Sequence, residues 1–415
     1  MLRIATVGLL LGGVLLVSHA ADAGDPRPDS TVALLEAGES ATIVCFGDSI
    51  TGAYYHTGCR RAWADMLGIA LQRLYPDADP RMVNAGISGD TTRDGPGRIE
   101  DDVLAHRPDL VVVMFGINDM SHSLTPAEYG SNLSEIIQRC SAIGSEVVLC
   151  TPTFRANYTM QLQQTFRNVV REVAAEHGLA VADMHGSFAS LHADAPAAYE
   201  LVMSDSVHPN MHGHKRIAET AAAAISGREV SLADVAALDL QMRQSLTKKA
   251  RGEALKAIAM PPYDEMLREA LDTLPGPAAK LEVVKFPTSD SVEEMEQWAE
   301  DNVREAKPDF VLIAVLAAAD APSSSRYIAA HQWVLNFSLD FGPGTWDCVP
   351  VLPSVAHPDL TDEQADREAL ARALISGKDL NGVEREDGDD AAAEEIFKRF
   401  VQEQYRQFVA EKYER

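Results

Sequence analysis

The stretch Ala41-Thr42-Ile43-Val44-Cys45-Phe46-Gly47-Asp48-Ser49-Ile50-Thr51 runs from an apolar segment straight into a glycine, an aspartate and a serine. An apolar run that does not alternate suits a strand covered on both faces, as in a parallel sheet. Gly47 permits a tight turn at its end. Ser49 then stands at the carboxyl edge of the strand, where open α/β sheets bind their ligands, and can open the following helix. Backbone N–H groups at a helix start favour a developing negative charge. On this stretch alone, Ser49 is also readable as a plain helix cap.

Working outward, the alternation repeats. A helix is expected over 62–74, a short strand over 82–85, a strongly apolar strand over 110–115 and a helix over 129–143. A strand over 146–150, a helix over 160–177, a strand over 179–183 and an alanine-rich closing helix over 211–225 complete the set. Strands alternating with helices predict a three-layer α/β domain with a parallel sheet over about residues 41–226. Residues 24–40 are polar and aperiodic and read as a linker or arm.

Beyond Ser226-Gly227-Arg228 the alternation restarts, predicting a second, smaller α/β domain over 227–415. Its expected strands are 255–260, 281–286, 310–316 and 347–352. Its helices lie within 262–274 and over 291–306 and 325–339, before a charged helical tail with an acidic loop at 384–390. Lys307-Pro308-Asp309-Phe310-Val311 echoes Arg107-Pro108-Asp109-Leu110-Val111. The second half thus reads either as a degenerate, non-catalytic repeat of the first or as an unrelated α/β unit. Pro261-Pro262-Tyr263 stands where the first half has Gly47-Asp48-Ser49, and Ala318 where it has Asn118. Such a half could cover the site, bind substrate, mediate a homo-oligomer or serve as scaffold.

Composition narrows the partners. The 415-residue chain is 46% apolar and 24% charged, with a formal net charge of -26. So acidic a chain is repelled by nucleic acid and by anionic membrane surfaces, and neither is expected as a partner. Residues 1–23 read as an export signal: Arg3, an apolar run Ile4 to Val17, then small-residue cleavage sites at Ser18-His19-Ala20 and Ala21-Asp22-Ala23. The run is short for a membrane span, so a periplasmic or extracellular protein without a stable span after cleavage is expected. Cys45, Cys59, Cys140, Cys150 and Cys348 are odd in number and irregularly spaced, which leaves at most one disulfide to consider. His56, Cys59 and His212 form no ligand spacing, so neither a metal nor another cofactor is expected.

Three further loops belong to the same sheet edge. Asn84-Ala85-Gly86-Ile87-Ser88-Gly89-Asp90-Thr91 closes the second strand, Gly116-Ile117-Asn118-Asp119 the third, and Asp205-Ser206-Val207-His208-Pro209-Asn210 precedes the closing helix. Each has a bland reading as turn chemistry. Together they supply a hydroxyl, a base with an adjacent carboxylate, and N–H donors, which is what acyl transfer needs. Ser88 lacks the full GxSxG of the α/β-hydrolase elbow and is set aside.

These four blocks, with Gly213-His214 after them, resemble the SGNH (GDSL-like) hydrolases over about residues 41–226. The resemblance implies a flavodoxin-like sheet, with Ser49 as nucleophile, His208 as base and Asp205 as its orienting acid. It implies an oxyanion hole formed by the N–H of Ser49, the N–H of Gly89 and the Asn118 side chain. Isoleucine replaces the family's leucine at position 50, an apolar position either way. The expected activity is serine esterase action on O-acetyl or short-acyl groups of carbohydrate. A lysophospholipase or thioesterase is the nearest alternative, and a carbohydrate-binding protein without catalysis is the alternative from another class.

Overall fold

The computed structural model describes residues 26–342 and 344–413. The export signal expected over residues 1–23 lies outside them. Five parallel strands form the first sheet: β1 (Ser40–Gly47), β2 (Asp79–Gly86), β3 (Leu110–Met114), β4 (Glu146–Cys150) and β5 (Ala180–Ala182). Their order is β2-β1-β3-β4-β5, the doubly wound order of flavodoxin-like sheets. Ile43 faces Leu110 and Val44 faces Val83 across β1. All of β3 is buried, as its unbroken run of apolar residues requires.

Helices Trp63–Leu74 and Met211–Ser226 pack together, as do Pro126–Ala142 and Met160–His177. Local chemistry starts them where the chain leaves the sheet. Thr125 and Glu128 form a capping box, Thr159 accepts from the Leu162 N–H, and Asn210 accepts from His212 and Gly213.

Residues 24–40 are not wholly an arm. Asp29–Glu36 is helical, with Val32 and Leu35 in the core. Its first N–H groups, on Ser30 and Thr31, donate to the Glu146 carboxylate at the start of β4. So short a helix has little stability of its own and owes its existence to this cap and to packing. Helices Gly95–Asp102, Met184–Asp194, Pro196–Val202 and Arg243–Arg251 also lie where no element was expected. All five cysteines are buried free thiols, so the single disulfide left open by the sequence is absent.

The second sheet contains β6 (Ala254–Ala259), β7 (Lys280–Lys285), β8 (Phe310–Ile313) and β9 (Asp347–Pro350), in the order β7-β6-β8-β9. Its amino edge repeats the first in detail. Arg107 and Lys307 are both left-handed, with φ of 47° and 46°. Asp109 accepts from the Thr42 N–H, and Asp309 from the Lys256 N–H. The Asp347 carboxylate, at the start of β9, accepts from the Gln244 and Ser245 N–H groups that open helix Arg243–Arg251, as Glu146 does for the first helix.

The halves interlock. Residues 228–235 run back over the first half, where Leu232 joins the core and Val230 and Val235 pack against it. In the other direction Tyr55 and Cys59, from the loop after β1, are buried among the apolar residues of the second half. Among the described residues no helix is long and apolar enough to cross a membrane.

Candidate active site

The carboxyl end of β1 is crowded. A side chain at Gly47 would meet Thr51 Oγ1 at 2.2 Å and the Met114 carbonyl at 2.4 Å, so only glycine lets the chain turn there. The turn presents Ser49, whose Oγ lies 2.9 Å from His208 Nε2. His208 Nδ1 lies 2.9 Å from Asp205 Oδ2 and 3.1 Å from Oδ1. The sequence-derived trio Ser49, His208 and Asp205 therefore meets in one line of hydrogen bonds.

The loop that carries the acid and the imidazole is tightly held. Asp205 Oδ1 accepts from the N–H groups of Val207 (2.7 Å) and His208 (2.8 Å). The Ser204 N–H donates to the His208 carbonyl at 2.8 Å. Asn210 Nδ2 donates back to the Leu201 and Met203 carbonyls. Burial alone would push the Asp205 carboxyl up, but the His208 ring and these N–H groups outweigh it and hold it well below the usual carboxylate range. Asp205 stays an anion and fixes a proton on His208 Nδ1, leaving Nε2 free to accept from Ser49.

The expected oxyanion donors converge on the same place. Among the described residues neither the Ser49 nor the Gly89 N–H has an acceptor in the protein. Gly89 has φ of +87°, which favours glycine even though nothing crowds the position. Asn118 Nδ2 donates to the Asp90 carbonyl at 2.9 Å, using one of its two N–H bonds. Asp119 accepts from the Thr92 N–H at 3.0 Å, so the Gly116–Asp119 block clamps the turn after Gly89. Arg98 ties the turn to the sheet by reaching Asp90 and the carbonyls of Ala85 and Gly47.

Sequence reasoning missed several contributors. Tyr55 OH donates to Asp205 Oδ2 at 2.9 Å. Burial, and then the Asp205 charge, raise the Tyr55 phenol far above its ordinary value, so it remains a donor. His56 stacks on His208, with ring centres 4.9 Å apart and planes 14° apart. Burial drives the His56 pKa well down, so the ring beside His208 is neutral. Tyr55 and His56 stand close to the Ser49 block in sequence, but no spacing rule marked them. Phe341 of the second half lies 5.8 Å from the rings of both Tyr54 and Tyr55, and it is exposed at the rim.

Among its described residues the second half holds no comparable trio. Ser354 Oγ donates to Glu368 Oε1 at 2.9 Å, and no histidine accepts from it among the described residues. No cluster of metal-ligating side chains occurs among the described residues.

Residues 45–216 match the model of the GDSL-like Lipase/Acylhydrolase family. The chain is 28% identical to the acetylxylan esterase of Geobacillus stearothermophilus, over 44% of this chain and 93% of that one. It is 28% identical to the esterase TesA of Pseudomonas aeruginosa, over 45% and 89% respectively. It is 26% identical to the thioesterase 1/protease 1/lysophospholipase L1 of Escherichia coli, over 43% and 80%. Residues 45–216 are thus a segment of the GDSL-like lipase/acylhydrolase type, and the chain is a carboxylester hydrolase.

Proposed function

We propose that the protein is a serine esterase that removes acetyl or other short acyl groups from carbohydrate, working through Ser49, His208 and Asp205. The observation that carries this reading is the line of hydrogen bonds from Ser49 Oγ through His208 to Asp205 at the carboxyl edge of the first sheet. His208 takes the Ser49 proton as Oγ attacks the ester carbonyl, and Asp205 steadies the imidazolium that forms. The Ser49 and Gly89 N–H groups and the Asn118 side chain receive the oxyanion. Collapse of the intermediate expels the alkoxide, which takes the proton from His208. Water then repeats the sequence and frees the acid.

His208 must be neutral to accept the Ser49 proton, so kcat/KM falls on the acid side. The acetylxylan esterase relative supports the carbohydrate substrate. The thioesterase/lysophospholipase relative supports longer acyl chains as the second reading. The exposed Phe341 and Ile87 offer apolar surface for either. Acetylated xylo-oligosaccharides and p-nitrophenyl esters of increasing chain length separate the two. Highest kcat/KM on acetyl esters supports the first, and a steady rise with chain length overturns it. Residues 1–23 are proposed to direct export and to be cleaved, and a mature protein beginning near residue 24 tests this.

A further inference from the structure

The second half brings no nucleophile to the site, yet its side chains close on the loop that carries Asp205 and His208. Gln332 Nε2 donates to the carbonyls of Glu200 (3.1 Å) and Met203 (2.5 Å). Asn336 Nδ2 donates to the Ser204 carbonyl at 3.0 Å, and Asn336 Oδ1 accepts from Ser204 Oγ at 3.1 Å. Beyond the loop, the Met211 N–H donates to the Gly377 carbonyl at 2.7 Å. Between these contacts lies Lys378, which is fully buried. Its Nζ donates to Ser204 Oγ and Asn336 Oδ1 and lies 3.5 Å from the His56 carbonyl.

No carboxylate touches this ammonium among the described residues. A buried cation without a direct counter-ion is costly, and an apolar side chain of similar volume would fill the space at lower cost. The placement is specific. Ser204 precedes Asp205, and His56 is the ring stacked on His208. Lys378 thus touches the supports of both members of the acid–imidazole pair.

We propose that Lys378 is a positioning residue for the ester hydrolysis: held by Asn336, its ammonium fixes Ser204 and the His56 carbonyl, and through them the Asp205 carboxylate and the His208 ring. This rests on Ser49, His208 and Asp205 being the reacting groups.

The charge has its own consequence. The titratable groups facing Lys378 are Asp205, His56, His214 and the Cys59 thiol, with Arg304 beyond them over the Tyr55 ring. Burial keeps His56 and His214 neutral and pushes Cys59 up to about 12, so that thiol stays protonated. Burial also brings Lys378 down to about 7, against the pull of Asp205. Below that pH its positive charge favours the ionised Asp205 carboxylate.

The test is Lys378→Met in the full chain, with p-nitrophenyl acetate as substrate and active sites titrated with a fluorophosphonate. The expected result is a fall in kcat per active site on the order of 10²-fold, as for a misplaced reacting group. KM should change little. A purely structural role would lower the number of active sites and leave kcat per site in place. Wild-type kcat per site overturns the inference. If Lys378→Met does not fold, Ser204→Ala removes the hydroxyl that Lys378 holds. A fall in its kcat per site of roughly tenfold, within the worth of a charge-assisted hydrogen bond, supports the inference, and an unchanged value overturns it. Ser49→Ala is assayed alongside. If it stays active, the parent reading fails; if it is dead while Lys378→Met behaves as wild type, only the role of Lys378 fails.

Discussion

The two sheets agree at one edge and part at the other. At their amino edges a left-handed basic residue, an aspartate bridging to the neighbouring strand, and an acid capping an outlying helix recur at matching places. At their carboxyl edges the first has Ser49 and Asn118, where the second has Tyr263 and Ala318. The amino edge solves a folding problem common to both sheets, namely how to satisfy strand-start and helix-start N–H groups. The carboxyl edge is free to differ, because its loops bear on chemistry more than on strand pairing.

The strongest way to break this comparison is to exchange the serines. Ser49→Ala should lower esterase turnover by roughly 10³-fold or more. Ser354→Ala should leave it unchanged, because that hydroxyl serves Glu368. Steady-state rates on p-nitrophenyl acetate decide both, and an active Ser49→Ala ends the assignment. Next comes Asn118→Ala, expected to cost on the order of 10²–10³ in kcat while KM moves little, as for other oxyanion donors.

The amino edges predict a different signature, in stability alone. Asp109→Ala and Asp309→Ala should each cost about 1–3 kcal/mol in denaturant unfolding, because each leaves a strand N–H without its acceptor. Both should keep kcat per active site. Unequal losses would show that the two edges are alike in outline only.

The smallest effect separates the capping acids. Burial lifts the Asp347 carboxyl to about 6, against the Ser245 and Gln244 N–H groups that favour its ionised form. A folded value above the unfolded one, about 3.9, means that protonation favours the fold. This contribution is complete below the unfolded value and is lost as pH rises through about 6. Thermal melts of wild type and Asp347→Asn across that window should show the wild type losing Tm relative to the variant as pH rises. Parallel curves would contradict the burial argument.

Much of the first half was legible because its signals are local. A buried strand writes itself as an apolar run, and the loops carry their glycine, asparagine and histidine within a few residues of the strand ends. Ser49, Asp205 and His208 could be named for that reason, and the structure brings them together. The helix Asp29–Glu36 was not legible, because its cap comes from Glu146, far along the chain. Lys378 was still less so. In Ser376-Gly377-Lys378-Asp379 it reads as an ordinary surface lysine, and only tertiary packing buries it against Ser204 and His56. Tyr55 and His56 show the same limit at shorter range, since aromatics beside a motif are as often core as site.

The loop that carries Tyr55 and Cys59 into the neighbouring half has a practical consequence. A chain cropped to its hydrolytic portion would lay bare both side chains and strip the Met203 and Ser204 carbonyls of their amide donors. Such a fragment invites aggregation. The smallest workable catalyst from this scaffold is therefore larger than its homologous segment, and shortening it for use would require redesigning that seam.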